Sequence, residues 1–478
     1  MSLISNVKWV AIAQVAKIVS QLLSVTILAR LLAPADYGLL AIATVFTNFA
    51  SLFRDLGTGS AIIQRSELTH STKNSIFWLN MALGLLIFAV LSGMAGFVAD
   101  FYAEPRLVVL LALLAITFPV NCSSIVHQSL LERASEFKTV AGIEGLSVAL
   151  ALVCAIGAAL LDFGVYSLVV QTMVAALVQS ALLWMRSGWR PAGRPKLADL
   201  RDLLGYSGNI SLFQFVNYFA RNADSFIIGK VLGAASLGLY NIAYRLMLFP
   251  VQNMSYVLAR AIFPLMVKVR GEHGSMAPIY MQSVGAIAFV TAPIMTSLLI
   301  LRDPTINMIF GLKWMGAQAL LLWLAPTGFV QSILSTTGSV FQASGKTGAM
   351  FRYGLVGAVL QVAAFLIGIE QGLAGLVMAY FVATLLNALL TLPAALKIAG
   401  ATIPDFLRTL AFPLGGSCIA AALVFGIDTQ LLEPRLIADS YRVVAGYVLF
   451  GLTYLVAARV WVPDRLAGLL SLVRRRAK

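Results

Sequence analysis

Apolar runs long enough to cross a bilayer core as helices recur along the whole chain. They lie at 7–31, 37–64, 75–100, 106–130, 139–161, 164–186, 205–231, 236–262, 277–301, 317–343, 349–369, 373–397, 406–426 and 440–461. The short alternating segments of a membrane strand barrel are absent. The pattern therefore predicts an all-α, polytopic membrane protein with about 14 transmembrane helices, an even number that leaves both termini on one side.

Within this pattern one stretch occurs twice. Ile27–Ala43, ILARLLAPADYGLLAIA, returns 200 positions later as Ile227–Ala243, IIGKVLGAASLGLYNIA. Identities include Leu32/Leu232, Ala35/Ala235, Gly38/Gly238 and Ile42/Ile242, and Arg30/Lys230 keeps its charge. Upstream of each copy runs a polar stripe. Gln14, Lys17, Gln21 and Ser24 step by three, four and three residues, as do Gln214, Asn217, Arg221 and Asp224. On a helix those steps share one face. A polar face repeated in two apolar helices points to a duplicated scaffold around an aqueous interior.

The repeat divides the chain into an N-lobe at 1–190 (helices one to six), a Pro- and Arg-rich linker at 191–204 and a C-lobe at 205–400 (helices seven to twelve). Residues 401–478 hold two further helices and a basic tail. Six helices per lobe insert both lobes the same way up, so the expected pseudo-symmetry axis lies along the membrane normal.

Composition sharpens the picture. The chain has 478 residues, 60% hydrophobic and only 11% charged, which excludes an ordinary soluble domain. Its net charge of +14 is not a nucleic-acid signature. Assigned from an inner N-terminus, 23 Lys and Arg fall in inner segments and seven in outer ones (Arg30, Arg106, Lys230, Arg302, Lys313, Arg435, Arg442). That is the positive-inside distribution, and it predicts N- and C-termini in the cytoplasm. The first apolar run is too long for a cleavable signal peptide and contains Lys17. Cys122, Cys154 and Cys418 offer no disulfide framework, and His70, His127 and His273 have no partner at metal spacing. No metal or cofactor is expected. Gly345-Lys346-Thr347 lacks the upstream glycine spacing and strand of a phosphate loop.

Chemistry must then come from charges inside spans, which are expensive in lipid and so face protein or water. They are Lys17, Arg54, Asp55, Glu144, Arg221, Asp224 and Arg245. Lys17, Arg221 and Arg245, with Gln14, Gln21, Gln214, Asn217 and Arg54, are the candidate lining of a polar cavity. Competing explanations are snorkelling for Lys17, pairing with Asp224 for Arg221, and a helix-breaking role for Arg54 before LGTG. Asp224 and Glu144 are the candidate sites for a coupling H⁺ or Na⁺, with a helix–helix hydrogen bond the alternative for Glu144.

With ARLLAPADYG after helix one and RDLGTGSAIIQR after helix two, the chain resembles the polysaccharide transporters of the multidrug/oligosaccharidyl-lipid/polysaccharide flippase superfamily. It looks closest to the Wzx-type, colanic acid or succinoglycan exporter branch. The resemblance implies a V-shaped, MATE-like pair of lobes with a cationic central cavity in the bacterial inner membrane. It also implies a polyprenyl-diphosphate-linked oligosaccharide as substrate, with a polysaccharide polymerase and co-polymerase as candidate partners. A drug or organic-cation antiporter of the same superfamily is the nearest alternative, but it would favour acids in the cavity, and the span charges are four basic to three acidic. A membrane glycosyltransferase or polymerase is the alternative of another class. Its catalytic loops outside the membrane have no room in AEPR at 103–106 or FGVY at 163–166.

Overall fold

The computed structural model describes residues 20–54, 58–65, 68–196, 218, 222–273, 275–432 and 438–462. Among them every regular element is helical. The chain divides into two compact units, Met1–Gly238 and Leu239–Lys478.

The first unit contains α1 (Ser20–Leu31), α2 (Pro34–Arg54), α3 (Thr58–Gln64), α4 (His70–Tyr102), α5 (Arg106–Arg133), α6 (Phe137–Leu160), α7 (Tyr166–Arg186) and α8 (222–231). Helix α9 (Gly233–His273) begins in it and continues into the second unit. There follow α10 (Ala277–Ile300), α11 (Arg302–Ile309), α12 (Gly316–Leu334), α13 (Thr337–Ala343), α14 (Thr347–Gly368), α15 (Gly372–Ala399), α16 (Ile403–Ile427) and α17 (Asp439–Trp461).

Ten helical stretches are long and apolar enough to cross a membrane, and one of them, Thr347–Ala399, covers two expected spans. The expected first and seventh spans lie largely outside the described residues. Helix α9 has 41 residues and is not among these ten. At 1.5 Å per residue it is roughly 60 Å long, about twice a hydrocarbon core.

Local chemistry sets the helix ends. The Thr69 hydroxyl accepts from the Thr72 amide at 3.1 Å to start α4. Ala103 ends it in the left-handed region, just ahead of Pro105. Thr402 and Asp405 form a capping box at the start of α16.

The same pairings build both units. Helix α4 packs along α5, α6 along α7, and α5 along α7. In the second unit α10 packs along α12, α14 along α15, and α12 along α15. These are helices three to six and nine to twelve of the expected order, which is what a duplicated scaffold requires. Helix α16 packs on α10 and α17, outside the repeated set.

Each unit also uses an arginine to close one helix end. The Arg133 guanidinium donates to the carbonyls of Ile62, at 2.7 Å, and Arg65, at 2.5 Å, beyond the last turn of α3. Arg270 donates to Ala343 O at 2.9 Å, at the end of α13. Carbonyls at a helix C-terminus generally lack intrahelical donors, and the cation also complements the helix dipole. The direction is swapped. In the first unit the fourth expected span caps the second, and in the second unit the eighth caps the tenth. The R133A variant should lose about 1–2 kcal/mol, with no loss of membrane insertion. Thermal unfolding of the purified protein in detergent measures this, and an unchanged midpoint would remove the cap from the account.

Candidate functional site

The polar stripes are described only in part. Gln14, Lys17, Gln214, Asn217 and Arg221 lie outside the described residues, as does Asp55. On α1, Gln21 is exposed while Ser24 is buried and accepts from Gln171 Nε2 of α7 at 2.7 Å. On α8, Asp224 is only 3% exposed, and its Oδ1 accepts from the Ser225 amide at 2.6 Å. Arg54 is half-buried at the end of α2, within electrostatic reach of Cys122. Glu144 is half-buried in the second turn of α6. Arg245 is exposed on α9, in the second unit. The structure thus places Gln21, Ser24 and Asp224 in the first unit.

What it does bring together are the two copies of the repeat. A Cβ on Gly38 would stand 1.6 Å from the carbonyl oxygen of Ala234. A Cβ on Gly238 would stand 1.8 Å from the carbonyl oxygen of Pro34. Since 34 and 234, like 38 and 238, are equivalent positions, the contact is reciprocal. The first turn of α2 lies against the first turn of α9 by a local two-fold relation, all within the first unit. Only glycine permits so close an approach of backbones, each Cα–H pointing at the facing carbonyl.

The neighbouring side chains reinforce this junction. Gly229 of α8 faces Tyr102 Cε1 at 3.0 Å and Ile42 Cγ1 at 3.2 Å, measured from its would-be Cβ. Phe226 packs on Tyr102, with ring centroids 5.9 Å apart. Tyr218 donates its hydroxyl proton to Val45 O at 2.6 Å and packs on Phe49. Lys230 donates to the carbonyl of Phe101 and sits 4.5 Å from the centre of that ring. The Lys230 charge is therefore occupied at a helix C-terminus, where the dipole favours a cation.

Sequence reasoning had both glycines in hand as repeat identities but assigned them no contact. The signal was present in the offset itself: two glycines 200 apart, each four residues after the small or imino residue its partner touches.

Comparison with known proteins agrees with this architecture. The description "Polysaccharide biosynthesis protein" belongs to the family whose model matches residues 27–319, which starts at the first residue of the repeat and spans both copies. The teichuronic acid biosynthesis protein TuaB of Bacillus subtilis is 27% identical over 74% of this chain and 75% of its own length. The succinoglycan biosynthesis transport protein ExoT of Rhizobium meliloti is 26% identical over 98% of this chain and 95% of its own. The lipopolysaccharide biosynthesis protein WzxC of Escherichia coli is 24% identical over 86% and 84%. Among solved structures, the lipid II flippase MurJ in an inward closed conformation aligns with a TM-score of 0.68 at 14% identity, covering 95% of this chain and all of that one. An inward-facing MATE-family transporter aligns with a TM-score of 0.55 at 16% identity, covering 80% and 94%. These two likenesses establish the fold alone. With well over half its length matched by that family's model, the chain belongs to the polysaccharide biosynthesis protein family.

Proposed function

We propose that this protein moves a polyprenyl-diphosphate-linked oligosaccharide repeat unit across the bacterial inner membrane, for exopolysaccharide or lipopolysaccharide biosynthesis. The observation that carries the reading is the polar, partly cationic stripe present at the same offset in both halves of a family named for polysaccharide biosynthesis. Relatives named as a transport protein and a flippase support it.

The physics is that of a charged headgroup leaving water. A diphosphate entering a low-dielectric passage needs fixed cations and donors to offset its lost hydration. Lys17, Arg221 and Arg245 supply charge, while Gln14, Gln21, Gln214 and Asn217 supply hydrogen bonds to sugar hydroxyls. Arg54 is a further candidate at the end of α2. The lipid tail stays in the bilayer. Alternating access then carries the headgroup across, with the reciprocal Gly38/Gly238 junction acting as the seal near Arg30 and Lys230, on the outer side. In this reading both termini are cytoplasmic. Asp224, the buried last member of the second stripe, and Glu144 are the proposed groups for H⁺ or Na⁺ coupling. A polymerase and co-polymerase would receive the product.

The test is the K17A/R221A double variant in a host deleted for this gene. Export should fall at least about tenfold, with lipid-linked oligosaccharide accumulating and membrane levels of the protein unchanged. A lysine at position 221 should rescue partly, since it restores the charge but not the planar fork. Undiminished export would remove the anion site. Repeating the wild-type assay with either the proton or the sodium gradient collapsed decides the coupling ion.

A further inference from the structure

Beyond the last turn of α7 the chain does not leave the first unit. Ser187 Oγ lies 2.6 Å from His127 Nδ1. Trp189 inserts among the rings of His127, Phe77 and His70, at centroid distances of 5.3, 5.9 and 6.0 Å, and is 8% exposed. Arg190 reaches back to donate to the carbonyls of Trp184 and Trp189, both at 2.7 Å, with its guanidinium 5.7 Å from the Trp184 ring. Asn74 Nδ2 donates to Gly193 O at 2.9 Å, and the Lys196 amide donates to Ser75 Oγ at 2.9 Å. Gly188 and Gly193, both with positive φ, make the bends that lay this segment against the start of α4.

The docking is incomplete in one respect. Trp189 Nε1, His127 Nε2 and Asn74 Oδ1 are all buried and have no hydrogen-bond partner among the described residues. His70, Asn74 and Phe77 share a face of α4 by their spacing, and the 187–196 segment lies against that face through the Trp189 ring and Gly193 O. Apolar burial holds the segment down, while three polar atoms would each regain a partner in water.

We propose that residues 187–196 form a reversible strap, latched by Trp189, that sets the free length of the connection between α7 and α8. Docked, it is part of the first unit. Released, it adds ten residues to the connection, on the order of 30 Å of reach. The strap is a property of the fold and stands apart from the identity of the substrate.

Limited trypsin digestion of the purified full-length protein in detergent tests it, read by mass at the Arg186–Ser187 bond. That bond can be cut only when the residues on both sides of it are extended, and the bonds after Arg190 and Arg194 precede proline and resist trypsin. Cleavage in wild type should be slow and should follow the open population. W189A should be cut at least about tenfold faster. W189F keeps an aromatic ring, smaller than the indole, but deletes the unpaired N–H, so it should be cut roughly threefold slower than wild type. Should W189A fail to fold, R190A, a surface change that removes two hydrogen bonds, takes its place with a smaller acceleration. If the latch-breaking variant is cut no faster than wild type, or W189F no slower, the strap is overturned.

Discussion

Alanine at Gly38 is expected to abolish export while the protein still reaches the membrane. The added methyl would fall 1.6 Å from the Ala234 carbonyl oxygen, less than half a van der Waals separation, and the obstacle is backbone on a helix. No rotamer change relieves it, so the first turns of α2 and α9 must part. Overpacking of this kind costs about 1–3 kcal/mol where side chains can yield, and more against backbone. G238A meets the Pro34 carbonyl at 1.8 Å and should behave alike. The reciprocal geometry makes a sharper claim about the pair. Once one methyl has pushed the helices apart, the second finds the space already open. G38A/G238A should then be scarcely worse than either single change, a coupling that distant sites do not show. Export in a deletion host, with membrane abundance as control, reads all three. Simple additivity, or full export in G38A, would show that the junction is not a working closure.

The largest stability loss outside that junction should follow R442A. The Arg442 guanidinium holds Asp428 with two bonds, Nε–Oδ1 at 2.9 Å and Nη2–Oδ2 at 2.8 Å, and lies 3.6 Å from Asp439. Their side chains are 14% and 10% exposed, so water offers little compensation. The pair joins the end of α16 to the first turn of α17. Removing the arginine leaves a buried carboxylate without its counter-charge, at a cost of about 3 kcal/mol, the lower bound for such breaks. The unfolding midpoint should drop by roughly 6 °C or more. Replacing both partners with apolar residues, D428L/R442M, should restore most of it, because no charge is then stranded. A midpoint unchanged in R442A would mean that the bidentate geometry contributes nothing net.

Arg442 shows how much the linear sequence can and cannot say. The positive-inside tally expects it in an outer segment, and that tally counts charges without knowing their partners. Arg133, Arg270 and Lys230 were counted in the same way. The structure assigns each of these to carbonyls or a ring in its own unit, so a residue that sorts topology also finishes a helix. Hydropathy located the helical stretches over 75–186 and 277–461 because lipid demands internally satisfied backbones, and that demand is written residue by residue. It did not detect that 317–343 comprises α12 and α13, since such a division changes hydropathy little. Ser24 illustrates a further limit. It sits on the repeated polar face, yet its hydroxyl is committed to Gln171, 147 positions away.

What the sequence alone determined is the class of the protein: an all-helical, multi-pass chain made of two related halves, with its family legible from turns such as ARLLAPADYG. Those features are periodic or local, and one strand of text holds them completely. Only the tertiary structure decided that Gly38 and Gly238 face each other's carbonyls, that Trp189 folds back onto His127, and that Arg442 is spent on Asp428. The reason is physical. Helices in lipid are already satisfied along their own axes, so what distinguishes one packing from another is close approach and paired polar atoms between distant segments, which no window of sequence contains.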